Sequence, residues 1–123
     1  MQKNEAVVIL GASNKPDRYA FMALEGLINR GFRVLPVNPT LKEINGVPVF
    51  SSLKDILEPI NTITMYVGAD KSSLLAKEIL NLKPKRIIFN PGAESKSLLK
   101  EKKKQGIEAL DACTLVMLSM NTF

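Results

Sequence analysis

Ala6-Val7-Val8-Ile9-Leu10 is an unbroken apolar run that ends at Gly11. Short, continuous and rich in β-branched residues, it has the pattern of a strand buried on both faces. In a soluble fold that means the interior of a parallel sheet with helices on each side. Parallel strands need crossover connections, usually helical, and the chain supplies them. Ala20, Ala23, Leu24, Leu27 and Ile28 follow at helical spacing, with Gly31 placed to end the helix. Arg33-Val34-Leu35-Pro36-Val37 is a second strand, and Val47-Pro48-Val49-Phe50 a shorter third after the Asn45-Gly46 turn. A proline in each of these two runs places both toward one edge, where a missing amide donor is tolerated.

The alternation continues. Ser52 and Asp55 have the spacing of a capping box for a brief helix ending near Glu58-Pro59. Thr62-Ile63-Thr64-Met65-Tyr66-Val67 is a fourth strand, and Asp70 is placed to cap a helix carrying Leu75, Ile79 and Leu82 on one face. Arg86-Ile87-Ile88-Phe89 is a fifth strand, residues 94–104 a polar helix, and Ile107-Glu108-Ala109-Leu110 a last short strand. The expected fold is one three-layer α/β domain over residues 1–123, a doubly wound, mostly parallel, Rossmann-like sheet. Right-handed crossovers give a strand order of roughly 3-2-1-4-5-6.

Composition removes much chemistry. The chain has no His, which excludes a Ser-His-Asp or Cys-His set and a His-ligated metal. Its one Cys, Cys113, makes no internal disulfide or thiolate metal site, so a reducing cytoplasm is the expected compartment. Cys113 opens an apolar stretch and reads as a small core residue, without cations nearby in sequence to activate a thiolate. The first apolar run is too short for a signal peptide or a membrane span. A net charge of +5 suits a polyanionic small ligand. The densest charge run, Lys100-Glu101-Lys102-Lys103-Lys104, fits a solvated helix C-terminus. None of the seven aromatics interleaves with it, so neither a base-stacking platform for nucleic acid nor a membrane patch is expected.

Open parallel sheets bind ligands beyond the carboxyl ends of their strands, where strand order reverses. Four loops fall there: Gly11-Ala12-Ser13-Asn14-Lys15, Asn38-Pro39-Thr40, Gly68-Ala69-Asp70 and Asn90-Pro91-Gly92-Ala93. In the first, Ser13, Lys15, Arg18 and the free amides of the next helix could cradle a phosphate. The alternative is that Gly11 simply makes the strand-to-helix turn and the cations are solvated. The Gly-x-Gly-x-x-Gly fingerprint is absent, since position 13 is Ser and position 16 Pro. The acid that would hold an NAD ribose is replaced by Asn38, and no P-loop Gly-Lys-Ser/Thr follows.

Gly11-Ala12-Ser13 with Pro16 and Arg18, then Pro36-Val37-Asn38-Pro39, then Gly46 with Val49-Phe50 and Ser52-Leu53, resembles the stand-alone CoA-binding domain family. That family is similar to the CoA-binding domain of the succinyl-CoA synthetase α-subunit. Asn90-Pro91-Gly92-Ala93-Glu94 and Cys113-Thr114-Leu115-Val116-Met117-Leu118 carry the likeness to the end of the chain. The resemblance implies that Gly11, Ala12 and Ser13 contact the phosphates, and that Asn38, Pro39 and Lys42 line the adenosine side. It further places Val67 and Gly68 under the pantetheine arm, with Asn90, Pro91 and Gly92 near its far end. After the fourth strand the chain departs from many relatives, with Gly68-Ala69-Asp70 where a basic residue and a proline are common.

The expected function is therefore a small cytoplasmic protein that binds CoA or an acyl-CoA and has no catalysis of its own. Two alternatives stand beside it: an NAD(P)-binding redox-sensing module, and a ligand-free interaction protein on the same fold. The apolar tail through Phe123 is expected to pack on the sheet, with a homodimer contact as its other use.

Overall fold

The computed structural model describes residues 5–94 and 106–123. In chain order the first elements are β1 (Ala6–Leu10), α1 (Tyr19–Asn29), β2 (Arg33–Val37), and a hairpin of β3 (Glu43–Ile44) and β4 (Val47–Pro48). A single 3-10 turn (Leu53–Asp55) leads to β5 (Thr62–Met65), α2 (Ala69–Leu74) and α3 (Ala76–Asn81). β6 (Arg86–Phe89), β7 (Glu108–Asp111) and α4 (Thr114–Ser119) complete the described chain. The polar helix expected over 94–104 and its lysine run lie outside the described residues, apart from Glu94.

Five parallel strands form the sheet in the order β2-β1-β5-β6-β7. All five residues of β1 are buried, as its sequence demands. The chain leaves β1 toward β2 on one side and later returns to β5 on the other, so strand order reverses between β1 and β5. The third expected strand is nearly lost. Val47 and Pro48 fold back on Glu43 and Ile44 around Asn45 and Gly46, both at positive φ (50° and 79°). Only Phe50 reaches the sheet, through a parallel bridge to Val37 in which its amide donates to the Pro36 carbonyl (2.9 Å). The Asn38 amide donates to the Phe50 carbonyl in return (3.0 Å). Pro36 offers its outer edge a carbonyl and no N–H, and that missing donor limits how far a neighbour can pair.

The two faces of the sheet bury different helices. Val8, Leu10, Ile63, Met65, Ile87 and Phe89 pack toward Leu53, Ile56, Ile79 and Leu80. Val7, Ile9, Val34 and Ile88 pack toward α1 (Phe21, Leu24, Leu27) and α4 (Met117, Leu118). The helix expected after Asp70 is interrupted at Leu75, whose φ and ψ of −94° and 2° divide α2 from α3. Asp70 is not its cap. Gly68 holds that position with no side-chain bond, and Asp70 sits in the first turn, where its charge complements the dipole. Ser52 caps as expected, accepting from the Lys54 amide (3.2 Å), whereas Asp55 accepts from the Ser51 hydroxyl (2.9 Å). Gly31 (φ 84°) ends α1, its amide donating to the Ile28 carbonyl (2.9 Å).

The apolar tail packs as expected. Phe123 is buried edge-on to Phe32 (5.3 Å between centroids) and beneath the Arg86 guanidinium (4.5 Å). At the amino end of β2 an exposed Arg33 grips Glu58 through two bonds of 2.6 and 2.7 Å. Beside that guanidinium the Glu58 carboxyl is held below its ordinary range. No helix among the described residues is long and apolar enough to cross a membrane.

Candidate functional site

At the carboxyl end of β1 the backbone turns through Gly11 at φ 89°. The Gly11 and Ala12 amides both donate to the Val37 carbonyl (3.2 and 3.0 Å), which ties the first loop to the end of β2. A Cβ on Gly11 would lie 2.9 Å from the Tyr66 carbonyl oxygen and 2.9 Å from Val67 Cγ1. This corner therefore needs glycine twice, for its dihedral and for its space. Ser13 follows, accepting from the Lys15 amide (3.1 Å). Lys15 and Arg18 are exposed, and α1 begins immediately after them with no side-chain cap and no acid in its first turn. Its leading amides and the two cations, with the exposed Asp17 between them in sequence, form a lip of net positive charge.

Asn38 fixes the second loop. Its Nδ2 donates to the Ala12 carbonyl (2.9 Å), while its Oδ1 accepts from the Thr40 amide (2.9 Å), the Thr40 hydroxyl (3.1 Å) and the Leu41 amide (3.1 Å). One side chain closes its own turn and staples two loops together. The amide stands where a dinucleotide site wants a carboxylate, and it is turned inward onto the backbone.

Between these loops and α2–α3 lies a cleft of about 1340 Å³. Gly11, Ala12, Ser13, Lys15 and Arg18 line it from the first loop, Asn38 and Pro39 from the second, and Val67 and Gly68 from the third. Of the expected positions, Lys42, Asn90, Pro91 and Gly92 are not on its wall. Tyr19, the Ser51-Ser52-Leu53 corner, Lys71, Leu74, Leu75 and Glu78 are on it, although none of them was expected as a site residue. Tyr19 carried a signal: it sits at the helix start, off the apolar stripe of α1, and is 70% exposed. Glu78 approaches Lys54 (3.5 Å), while Asp70 makes no ion pair among the described residues. Among those residues no cluster of Cys, Asp and Glu could hold a metal ion.

Asn90 is 3% exposed and occupied elsewhere. Its Nδ2 donates to Thr64 Oγ1 (2.7 Å) and the Met65 carbonyl (2.8 Å), and its Oδ1 accepts from the Thr114 amide (2.9 Å). The Thr64 and Thr114 hydroxyls meet at 2.8 Å. This buried network joins β5, β6 and the start of α4. Cys113, half-buried, is the residue preceding that helix. The Tyr66 hydroxyl is enclosed beside the two threonines without a hydrogen bond of good geometry. Burial pushes its phenol up to about 12, against the pull of the Thr114 hydroxyl. A raised phenol holds its proton more tightly in the folded than in the unfolded chain. Stability is thus intact below about pH 10 and falls as pH rises toward 12. Tyr66→Phe should remove that alkaline loss. At pH 7 it should change stability by less than about 1 kcal/mol, because the hydroxyl it deletes is already unpaired. Urea titrations at pH 7 and pH 11 check both parts, and a wild-type-like alkaline loss in the variant would refute the assignment.

Comparison with known proteins supplies relatives in sequence and in fold. A protein of Bacillus subtilis (strain 168) named YneT is 30% identical over 119 residues, covering 94% of this chain and 87% of its own. The crystal structure of an uncharacterized protein superposes with a TM-score of 0.92 at 37% identity, covering 99% of this chain and all of that one. The fold is also shared, at 22% identity and a TM-score of 0.73, by the dinucleotide forming acetyl-coenzyme A synthetase 1 of Ca. Korarchaeum cryptofilum. That match covers 88% of this chain and 26% of the synthetase. Residues 5–119 match the family described as CoA binding domain. With its glycine corner, its switch-point cleft and a match over nearly all its length, the chain belongs to the CoA-binding domain family.

Proposed function

We propose that the cleft binds CoA or an acyl-CoA and that the protein is a binding module without chemistry of its own. The observation that carries this reading is the Gly11 corner, where backbone passes too close to Tyr66 and Val67 for any side chain and opens on a lip bearing Lys15 and Arg18. Phosphate oxygens would rest on that lip. The pantetheine arm would then run past Val67 and Gly68 toward α2. The shared CoA-binding domain family supports this ligand class, as does the name of the synthetase that shares the fold. An NAD(P) ligand is disfavoured by Asn38, whose donor is committed to the Ala12 carbonyl.

Isothermal titration with CoA, acetyl-CoA, NAD and NADP tests the reading. Heat from CoA or acetyl-CoA alone is expected, and binding of a nicotinamide nucleotide alone would overturn it. Protein that purifies empty and shows no thermal shift with millimolar CoA would favour a ligand-free interaction role. Within the same experiment, Arg18→Ala should weaken CoA binding roughly ten- to a hundred-fold, because a charge-assisted bond to phosphate contributes about 1.5–3 kcal/mol. Its exposed position leaves folding within about 0.5 kcal/mol. Lys85→Ala, also exposed but away from the cleft, removes the same charge and should leave affinity near wild type. Equal losses from both variants would show that only net charge matters.

A further inference from the structure

The walls of the cleft differ in how firmly they are held. Of the six residues of α2 only Ser72 is buried, and its hydroxyl finds no hydrogen-bond partner among the described residues. A buried polar group left unpaired is a poor anchor. α3, by contrast, is fixed by buried Ile79 and Leu80 and by the pair Glu78–Lys54. Between the two helices stands Leu75, whose side chain packs on the core while its backbone (φ −94°, ψ 2°) breaks the helix. At the other end of α2, Gly68 is extended (ψ 165°), and nothing lies within 4 Å of where a Cβ would stand on it. α2 is thus a short segment between two joints, on a seat that grips it weakly. Its last residue, Leu74, is 83% exposed, and Tyr19, at the start of α1, is 70% exposed. Single exposed apolar side chains are ordinary. These two, however, line one cleft from its two sides.

We propose that α2 is a lid, which swings about Gly68 and Leu75, carries Leu74 across the cleft toward Tyr19 and closes over a bound ligand. The inference rests on this cleft being the ligand site and goes beyond it by assigning a moving part. Closure takes Leu74 and Tyr19 out of water, which favours the closed form. A ligand in the cleft adds contact with Leu74 that only the closed form makes, and such a difference is what shifts the balance between two states. The motion spares the helix itself. The Ser72 amide donates to the Gly68 carbonyl (2.9 Å) and the Leu75 amide to the Lys71 carbonyl (3.0 Å), bonds that lie within the segment and travel with it.

Disulfide trapping reads the motion without any ligand. Tyr19→Cys with Leu74→Cys, in a Cys113→Ser background, can be bridged only when the two Cα atoms come within about 7 Å. Under oxidised glutathione this pair should crosslink at least about ten-fold faster than Tyr19→Cys with Leu57→Cys, an exposed position off the cleft wall. A rate no greater than that control would overturn the lid. Hydrogen exchange on the unmodified chain gives a second readout. The Ser72 and Leu75 amides should exchange at least about ten-fold faster than the Ile79 amide of α3, and saturating CoA should slow them by about ten-fold. Equal exchange in the two helices of the free protein would overturn the weak seat, and bound CoA that leaves α2 unprotected would overturn closure. In stopped flow, Leu74→Ser should speed CoA release about three- to ten-fold and leave association within about two-fold, because the contact forms after entry. Unchanged release would overturn the closing role of Leu74. If CoA does not bind, the CoA reading fails, while trapping still decides the lid.

Discussion

Gly11→Ala is expected to cost about 2–6 kcal/mol of folding stability and to abolish ligand binding at the cleft. Two penalties add. A side chain at φ 89° is strained by about 1–3 kcal/mol. Its methyl would also sit 2.9 Å from a backbone oxygen, where nothing flexible can yield, an overpacking cost of about 1–3 kcal/mol. In a domain of ordinary stability that removes a large fraction of the total and lowers Tm by roughly 10–20 °C. Gly46→Ala separates the two contributions. Gly46 has a similar φ of 79° but open space around its would-be Cβ, so only the strain, about 1–2 kcal/mol, should register. Thermal unfolding of both variants by circular dichroism decides the matter. Equal losses would mean that the close approach to Tyr66 and Val67 contributes nothing.

Asn90→Ala, away from the cleft wall, should cost about 2–4 kcal/mol. It removes the acceptor of the Thr114 amide and both donor bonds to Thr64 and the Met65 carbonyl, all inside the protein. Buried groups left unpaired each cost about 1–3 kcal/mol, partly offset where neighbours relax. The loss should be local in character: amide exchange in α4 should accelerate more than in β1. Thr114→Val, which keeps the backbone amide bond to Asn90 and gives up the hydroxyl's contacts with Thr64 and Tyr66, should cost nearer 1 kcal/mol. Urea unfolding with hydrogen exchange measures both, and unchanged protection of α4 in Asn90→Ala would show that the helix does not depend on this side chain.

That dependence explains why α4 was illegible in the sequence. Cys113-Thr114-Leu115-Val116-Met117-Leu118 is short, contains β-branched residues and lacks a capping residue of its own. The acceptor for its first amide comes from Asn90, 24 positions earlier, and no local pattern reports a cap supplied across the sheet. The central strands were legible for the opposite reason. Burial of Val7, Val8 and Ile9 on both faces writes a continuous apolar run that only one architecture accommodates. Between these extremes stands the third strand, whose Pro48, like Pro36 in the second, announced an edge but not that a single bridge at Phe50 would be all that joins it to the sheet. At the site, loops placed by strand ends were readable, because topology alone brings Gly11, Asn38 and Gly68 to one rim. The α2–α3 wall was not, because Leu74 and Glu78 reach the cleft through a helix break at Leu75 that has no proline or glycine to mark it.

The staple made by Asn38 sets a barrier between ligand classes. In Asn38→Asp, the step that would install a ribose-binding acid, the acceptor bonds to Thr40 and Leu41 could persist. The atom now facing the Ala12 carbonyl at 2.9 Å would be an oxygen instead of a donor. Two oxygens repel at that distance, so the first two loops would be pushed apart by the same change that recruits a new cofactor. Installing that acid therefore calls for a change in the first loop before it or together with it. The Asn38 amide nitrogen is thus one obstacle to placing a ribose-binding acid at this position.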